Sequence, residues 1–307
     1  MRITKSFALE KIANKIRMDT LQEIYYAKSG HPGGSLSIAE ILTVLYFNEM
    51  HIDENKLNDD NRDRFVLSKG HASAALYAAL AERGYFPKEE LITFRNISSY
   101  LQGHPDMKHT PGVDMSTGSL GQGLSAAVGM ALNSKIDQKG YRVYCLVGDG
   151  ELEEGQIWEA AMTASKYKLD NLVTIVDCNN IQLTDSTKNV MDLNYEDISN
   201  KFNSFGFNSI TIDGNNVESL IEAFAKAKQV KEKPTVIIAK TIKGKGVSFM
   251  ENKVEWHGKA PSDEEYKIAI DELVTKNKEI DKKALEFSEN INNVEEGKSA
   301  FEAEIDD

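Results

Sequence analysis

The sequence predicts an α/β fold of three layers, with helices on both faces of a central, mostly parallel sheet. Two observations carry this. Short apolar runs recur at 143–147, 172–176, 209–212 and 235–239, and helical periodicities lie between them. Apolar runs without alternation belong to strands buried on both faces, which is what a parallel sheet covered by helices requires.

The elements follow in order. Residues 6–27 place Leu9, Ile12, Ala13 and Ile16 at a helical period. The stretch from Lys28 to Gly34 is rich in turn residues. Ser37 and Glu40 have the spacing of a capping box, with Ile38, Ile41, Leu42 and Leu45 as one stripe behind them. Between about Ile52 and Val113 the pattern is mixed, with loops at Gly70-His71 and Gly103-His104. The run at 143–147 ends in Gly148-Asp149-Gly150, and residues 154–167 then read as a helix. The run at 172–176 ends in Asp177-Cys178-Asn179-Asn180, and that at 209–212 in Asp213-Gly214. Val217, Leu220, Ile221 and Phe224 mark a further helix and its core stripe. The run at 235–239 leads into Lys243-Gly244-Lys245-Gly246. These elements make one domain over 1–285. Residues 286–307 are acidic and poor in apolar groups, and are expected to form a loosely ordered tail.

Composition narrows the function. With 307 residues the chain can bury a full core, and 41% hydrophobic with 27% charged residues is ordinary globular usage. The net charge of −12 disfavours nucleic acid and anionic membranes as partners. No apolar stretch reaches the length of a membrane span, and the first 20 residues lack a signal-peptide core. Cys145 and Cys178 both sit in apolar runs, so a disulfide framework is not expected and a cytoplasmic setting is.

In an open parallel sheet, ligands bind beyond the carboxyl ends of the strands. Asp149 and Asn179 follow neighbouring strands there, and hard oxygen ligands of this kind suit Mg²⁺ or Ca²⁺ shared with phosphate oxygens. Gly150 allows a diphosphate to approach its backbone amide. Taken singly, Gly-Asp-Gly and Asn-Asn also read as tight turns. Four of the six histidines, His31, His71, His104 and His257, lie in glycine-containing loops, as groups converging on one pocket would. A zinc site lacks the usual spacing. Lys243 and Lys245 read either as phosphate-attracting cations or as a solvated pair.

Gly-Asp-Gly followed about thirty residues later by Asn resembles the thiamine diphosphate fingerprint, and further segments resemble transketolase. They are Gly-His-Pro-Gly-Gly-Ser at 30–35, Asp-Arg-Phe-Val-Leu-Ser-Lys-Gly-His-Ala at 63–72 and Gly-His-Pro at 103–105. Others are Ser-Thr-Gly-Ser-Leu-Gly-Gln-Gly at 116–123, Gly-Asp-Gly-Glu-Leu-Glu-Glu-Gly at 148–155 and Lys-Thr-Ile-Lys-Gly-Lys-Gly at 240–246. The resemblance implies the thiamine diphosphate-binding form of the three-layer fold, with thiamine diphosphate and Mg²⁺ as cofactors (Ca²⁺ or Mn²⁺ able to substitute). It implies Asp149, Asn179 and the carbonyl of Ile181 as metal ligands. It implies His71, Gly118, Ser119, Leu120, Gly150, Asn179 and His257 as cofactor contacts, and His31, His104 and His257 as catalytic groups. Ser119 stands where many members have Pro. Glu154 and Glu159 match acidic positions near the family's subunit contact, while first-turn dipole complementation explains Glu159 equally.

The resemblance covers only the first half of a full-length transketolase. It therefore implies the N-terminal subunit of a split enzyme that moves a two-carbon ketol unit between sugar phosphates. A separate C-terminal subunit with the aminopyrimidine-binding domain would complete it, in a heterotetramer. The competing readings are a subunit like deoxyxylulose-phosphate synthase or like the alpha chain of a 2-oxoacid dehydrogenase, and a non-catalytic regulatory subunit. The synthase is a single long chain not expected to open with Gly-His-Pro-Gly, the alpha chain shares Gly-Asp-Gly…Asn but not the histidine loops, and intact Asp149, Asn179 and the four loop histidines argue against a non-catalytic subunit.

Overall fold

The computed structural model describes residues 2–305 and the side chains of 5–288. At its centre lies a five-stranded sheet in the order β1-β2-β3-β5-β4, with every strand pairing parallel. The strands are β1 Arg64–Leu67, β2 Val143–Gly148, β3 Leu172–Cys178, β4 Asn208–Asp213 and β5 Thr235–Lys240. The four apolar runs read from the sequence are β2 to β5, each longer by one or two residues. β1 falls in the stretch of mixed pattern. Its four residues open on a charged group and pair on one side only, so neither length nor period marks it.

The helices are α1 Arg2–Ala27, α2 Pro32–Leu36, α3 Ala39–Val44, α4 Ser73–Arg83 and α5 Gln122–Ile136. They continue with α6 Gly155–Lys166, α7 Thr187–Met191, α8 Tyr195–Ser204, α9 Val217–Gln229 and α10 Asp263–Ile305. The pleat of the sheet sorts side chains between them. Tyr144, Leu146, Ile175 and Ile237 join one core with α1, α3, α4 and α9. Cys145, Val147, Val176 and Ile238 join another with α5, α6 and α8. A third cluster, including Leu21, Val247, Trp256 and Leu273, fastens the loop after β5 between α1 and α10.

Ser37 and Glu40 do not form the capping box expected of them. α3 begins at Ala39 without a side-chain cap. Ser37 instead donates to Asp177 Oδ2 at 2.7 Å, and Glu40 pairs with the buried Arg17 at 2.6 Å. Both side chains are drawn to stronger, charged partners. The tail expected over 286–307 lies almost wholly outside the described side chains, and its backbone to Ile305 continues α10. Cys145 and Cys178 are free and buried on neighbouring strands. Among the described residues no helix is long and apolar enough to cross a membrane.

Candidate active site

A cavity of about 600 Å³ opens at the carboxyl edge of the sheet, above the ends of β2 and β3. Its floor is organised by Asp177, the penultimate residue of β3, which is wholly buried. Lys69 meets its Oδ2 at 2.5 Å, Asn179 donates to the same oxygen at 2.8 Å, and Thr241 donates to Oδ1. Burial alone would raise this carboxyl, yet the ammonium and the hydroxyl donors hold it below its ordinary value. Glu151 plays a similar part at the side wall, accepting from the amides of Gly121 and Gly148 and from Ser68. Its burial pushes its own carboxyl up.

Asp149 follows directly on β2 and is only 4% exposed. Its oxygens accept from the amides of Gly150 at 2.8 Å and Asn180 at 2.5 Å. Burial, with the charge of Asp177 added, pushes its carboxyl up to about 7. A group so placed favours a cation. The donors nearby are the carboxylate of Asp149, the amide of Asn179 and the carbonyl of Ile181, all lining the cavity. The Lys243 ammonium already lies 2.8 Å from the Ile181 carbonyl, so positive charge is accommodated at this point. Among the described residues no three His, Cys, Asp or Glu side chains converge on a metal position. A cation here thus relies on an amide and a backbone carbonyl beside one carboxylate, a hard oxygen set that fits Mg²⁺.

Three imidazoles line the same cavity. His31 and His71 lie 5.2 Å apart, His31 and His257 5.6 Å, and His71 and His257 5.4 Å, between ring centroids. Burial lowers His31 to about 4 and His257 to about 3, with cations of the site adding to it, and lowers His71 strongly. All three are neutral at pH 7. Lys243 Nζ sits 2.7 Å from His257 Nδ1 and is buried. Its burial, with Lys69 nearby, lowers it to about 8.

Gly118, Leu120, Gly150 and Asn179 line the same cavity. Ser119 is exposed and does not. His104 is not among the residues lining the cavity and is exposed beside Gly118, near enough to His31 to act on its charge. Gly118 has a φ of +147°, and a Cβ there would come within 3.0 Å of the His104 ring. Glu154 lines the cavity, and Glu159 faces solvent from the second turn of α6. Of the two lysines weighed in the sequence, Lys243 turns into the site, while Lys245 pairs with Glu251 at 3.6 Å. Sequence reasoning missed Asp177, Lys69 and Glu151. The available signal was a lone acid closing an apolar run, which demands a buried partner.

The profile of the transketolase thiamine diphosphate binding domain matches residues 8–303. The 6-deoxy-6-sulfo-D-fructose transketolase subunit SqwG of Clostridium sp. (strain MSTE9) is 47% identical over 265 residues, covering 86% of this chain and 96% of that protein. One of the subunits of the apulose-4-phosphate transketolase of Phocaeicola vulgatus is 41% identical over 274 residues, covering 89% and 96%. The crystal structure of transketolase from Campylobacter jejuni superposes with a TM-score of 0.79 at 36% identity, over 86% of this chain. The chain spans only 42% of that transketolase. With a domain match over nearly its whole length, and with a fold that agrees, this chain belongs to the transketolase family through its thiamine diphosphate binding domain.

Proposed function

We propose that the chain is the N-terminal subunit of a split transketolase. It transfers a two-carbon ketol unit between sugar phosphates, using thiamine diphosphate and Mg²⁺. It works only with a separate subunit that carries the aminopyrimidine-binding domain, in a heterotetramer with two copies of each. The observation that carries this reading is one cavity lined both by oxygen donors at Asp149, Asn179 and Ile181 and by His31, His71 and His257. Its near end-to-end match to relatives that are themselves named as subunits supports the split.

The residues divide the work as follows. Asp149, Asn179 and the Ile181 carbonyl hold the metal, and the Gly150 amide and Asn179 side chain meet the diphosphate. His71, Gly118 and Leu120 flank the cofactor, while Ser119 lies between the last two outside the cavity lining. When bound, thiamine diphosphate supplies the carbon nucleophile and the electron sink for cleaving the ketose. His31 and His257, neutral at working pH, orient donor hydroxyls, His31 by donating a hydrogen bond and His257 by holding or moving their protons. His104, at the rim, reaches the substrate from the Gly118 side. The exposed Leu120 and Leu183 at the cavity mouth offer apolar surface to the partner subunit. Free, buried cysteines support a cytoplasmic setting.

The relatives' names, one for 6-deoxy-6-sulfo-D-fructose and one for apulose 4-phosphate, leave the donor open. The test is to combine this chain with candidate partner subunits, Mg²⁺, thiamine diphosphate, xylulose 5-phosphate and ribose 5-phosphate. Sedoheptulose 7-phosphate is the expected product, with 6-deoxy-6-sulfofructose assayed in parallel as donor. No ketol transfer from any of these donors in the assembled enzyme defeats the reading.

A further inference from the structure

Arg95 is a residue that neither the motifs nor the mechanism uses, yet it is built into the site. It holds a left-handed backbone, φ 62°, which an arginine adopts only when its surroundings impose it. Its amide donates to the Leu101 carbonyl at 2.8 Å, closing the loop that leads to His104. Its Nη1 donates to Ser29 Oγ at 2.7 Å, and its Nη2 lies 3.4 Å from His31 Nδ1. Gly103 makes room for the guanidinium, since a Cβ there would come within 3.0–3.2 Å of its Nε, Cζ and Nη2.

A guanidinium has five donors and no acceptor. Where it faces a ring nitrogen, that nitrogen must accept, and the proton of a neutral imidazole must sit on the other one. We propose that Arg95 is a positioning residue for ketol transfer, holding His31 as the neutral ring with its proton on Nε2. His31 Nε2 lies on the side of the ring turned to Gly258, beside the His257 ring. His31 thus presents a hydrogen-bond donor to a substrate oxygen and takes no proton from it. The groups facing His31 are Arg95, His71, His104, His257, Lys69 and Lys243, each of them cationic when charged. Burial, with the charges of Arg95, Lys243 and Lys69 among them, keeps the ring neutral. This inference rests on the ketol-transfer reading for its consequence, though not for its geometry.

The test uses the assembled two-subunit enzyme with this chain labelled with ¹⁵N-histidine, and His31→Gln to identify the His31 signals. In the unmodified enzyme Nδ1 should carry an acceptor shift and Nε2 a protonated one. Arg95→Met should mix the two tautomers and move the titration of His31 upward by about one pH unit. It should also lower kcat/KM roughly tenfold at both pH 6 and pH 8, since the ring stays neutral at each and only its tautomer is lost, with thiamine diphosphate affinity unchanged. A proton on Nδ1 in the unmodified enzyme overturns the proposal, and so do unchanged ring-nitrogen signals in Arg95→Met. If the variant does not assemble, the unmodified spectrum decides alone. The spectra need no turnover, so an enzyme without ketol transfer would defeat the functional reading and leave this one standing or falling on its own.

Discussion

Lys69 and Asp177 form an ion pair of 2.5 Å with side-chain exposures of 2% and 0%. It joins the loop after β1 to the end of β3, beneath the cavity. A pair closed off from water in this way is stable only while both members are present. Lys69→Met or Asp177→Leu should each destabilise the protein by about 3–5 kcal/mol, because one buried charge is left behind. The double variant should lose less than the sum of the two. Chemical denaturation of all four proteins measures this. Additive losses would show that the two side chains do not act as a pair.

Asp149→Ala removes the only carboxylate of the oxygen set. The variant should bind thiamine diphosphate at least tenfold more weakly in the presence of Mg²⁺, while folding normally. Calorimetric titration of the assembled enzyme gives the comparison. Equal affinity in both proteins would take Asp149 out of the cofactor site.

His257→Ala and His104→Ala should retain cofactor binding and slow ketol transfer by roughly tenfold to a thousandfold. The two positions differ in the structure, one inside the cavity and one beyond Gly118, so their effects should differ as well. Loss at His257 should fall on kcat. Loss at His104 should appear at least partly in KM for the donor. Steady-state kinetics with the donor varied separates the two, and unchanged constants in both variants would reduce the loops to ordinary turns.

Gly118→Ala tests the packing between those sites. The new Cβ meets the His104 ring on a backbone at +147°. The expected result is a fall in kcat of about tenfold or more, at a strain cost of about 1–3 kcal/mol. Activity equal to the unmodified enzyme would show that His104 has no fixed position to lose.

The imidazoles also predict a pH dependence of stability. His31 at about 4 and His257 at about 3 lie below the ordinary histidine value of 6.5. The unfolded chain therefore binds more protons as pH falls below about 6.5. Stability from the two rings is full above that pH and is lost as pH drops through 4 toward 3. Asp149, raised to about 7, acts in the opposite sense, favouring the fold as it takes up a proton. The clean measurement is a difference: the drop in melting temperature from pH 7 to pH 5 should shrink in His31→Asn/His257→Asn. An identical drop would mean that these rings titrate normally.

Much of this architecture is legible in the sequence. β2, β3 and β5 announce themselves as apolar runs because both faces of each strand are covered, while β4, at the sheet edge and half-buried, shows itself by Ile210 and Ile212 on its covered face. Asp149 and Asn179 stand out because they occur together at neighbouring strand ends, and the histidines because four of them share glycine-containing loops, although each alone also reads as a turn. What stays hidden depends on contacts far apart in sequence. Lys69 and Asp177 are 108 positions apart, and nothing local to either shows that they meet. Ser37 and Glu40 mislead for the same reason. Their spacing satisfies a local rule, but Asp177 and Arg17 offer each a charged partner that the rule ignores. β1 escapes because its register is set by β2 and not by its own composition. Lys243 is ambiguous in a lysine-glycine repeat until the cavity separates it from Lys245.

The hub at Asp177 bears on how the molecule comes together. It gathers Ser37, Lys69 and Thr241, which are 140, 108 and 64 positions away along the chain. Such distant contacts form slowly, because each requires a long loop to close first. The floor of the cavity cannot exist in a chain that has formed only its first helices, or only β2 and β3. Cofactor affinity should therefore appear in the final step of folding and not in any earlier compact species. A ligand that binds only the finished state draws the folding equilibrium toward it. Thiamine diphosphate supplied during refolding should accordingly raise the yield of native protein.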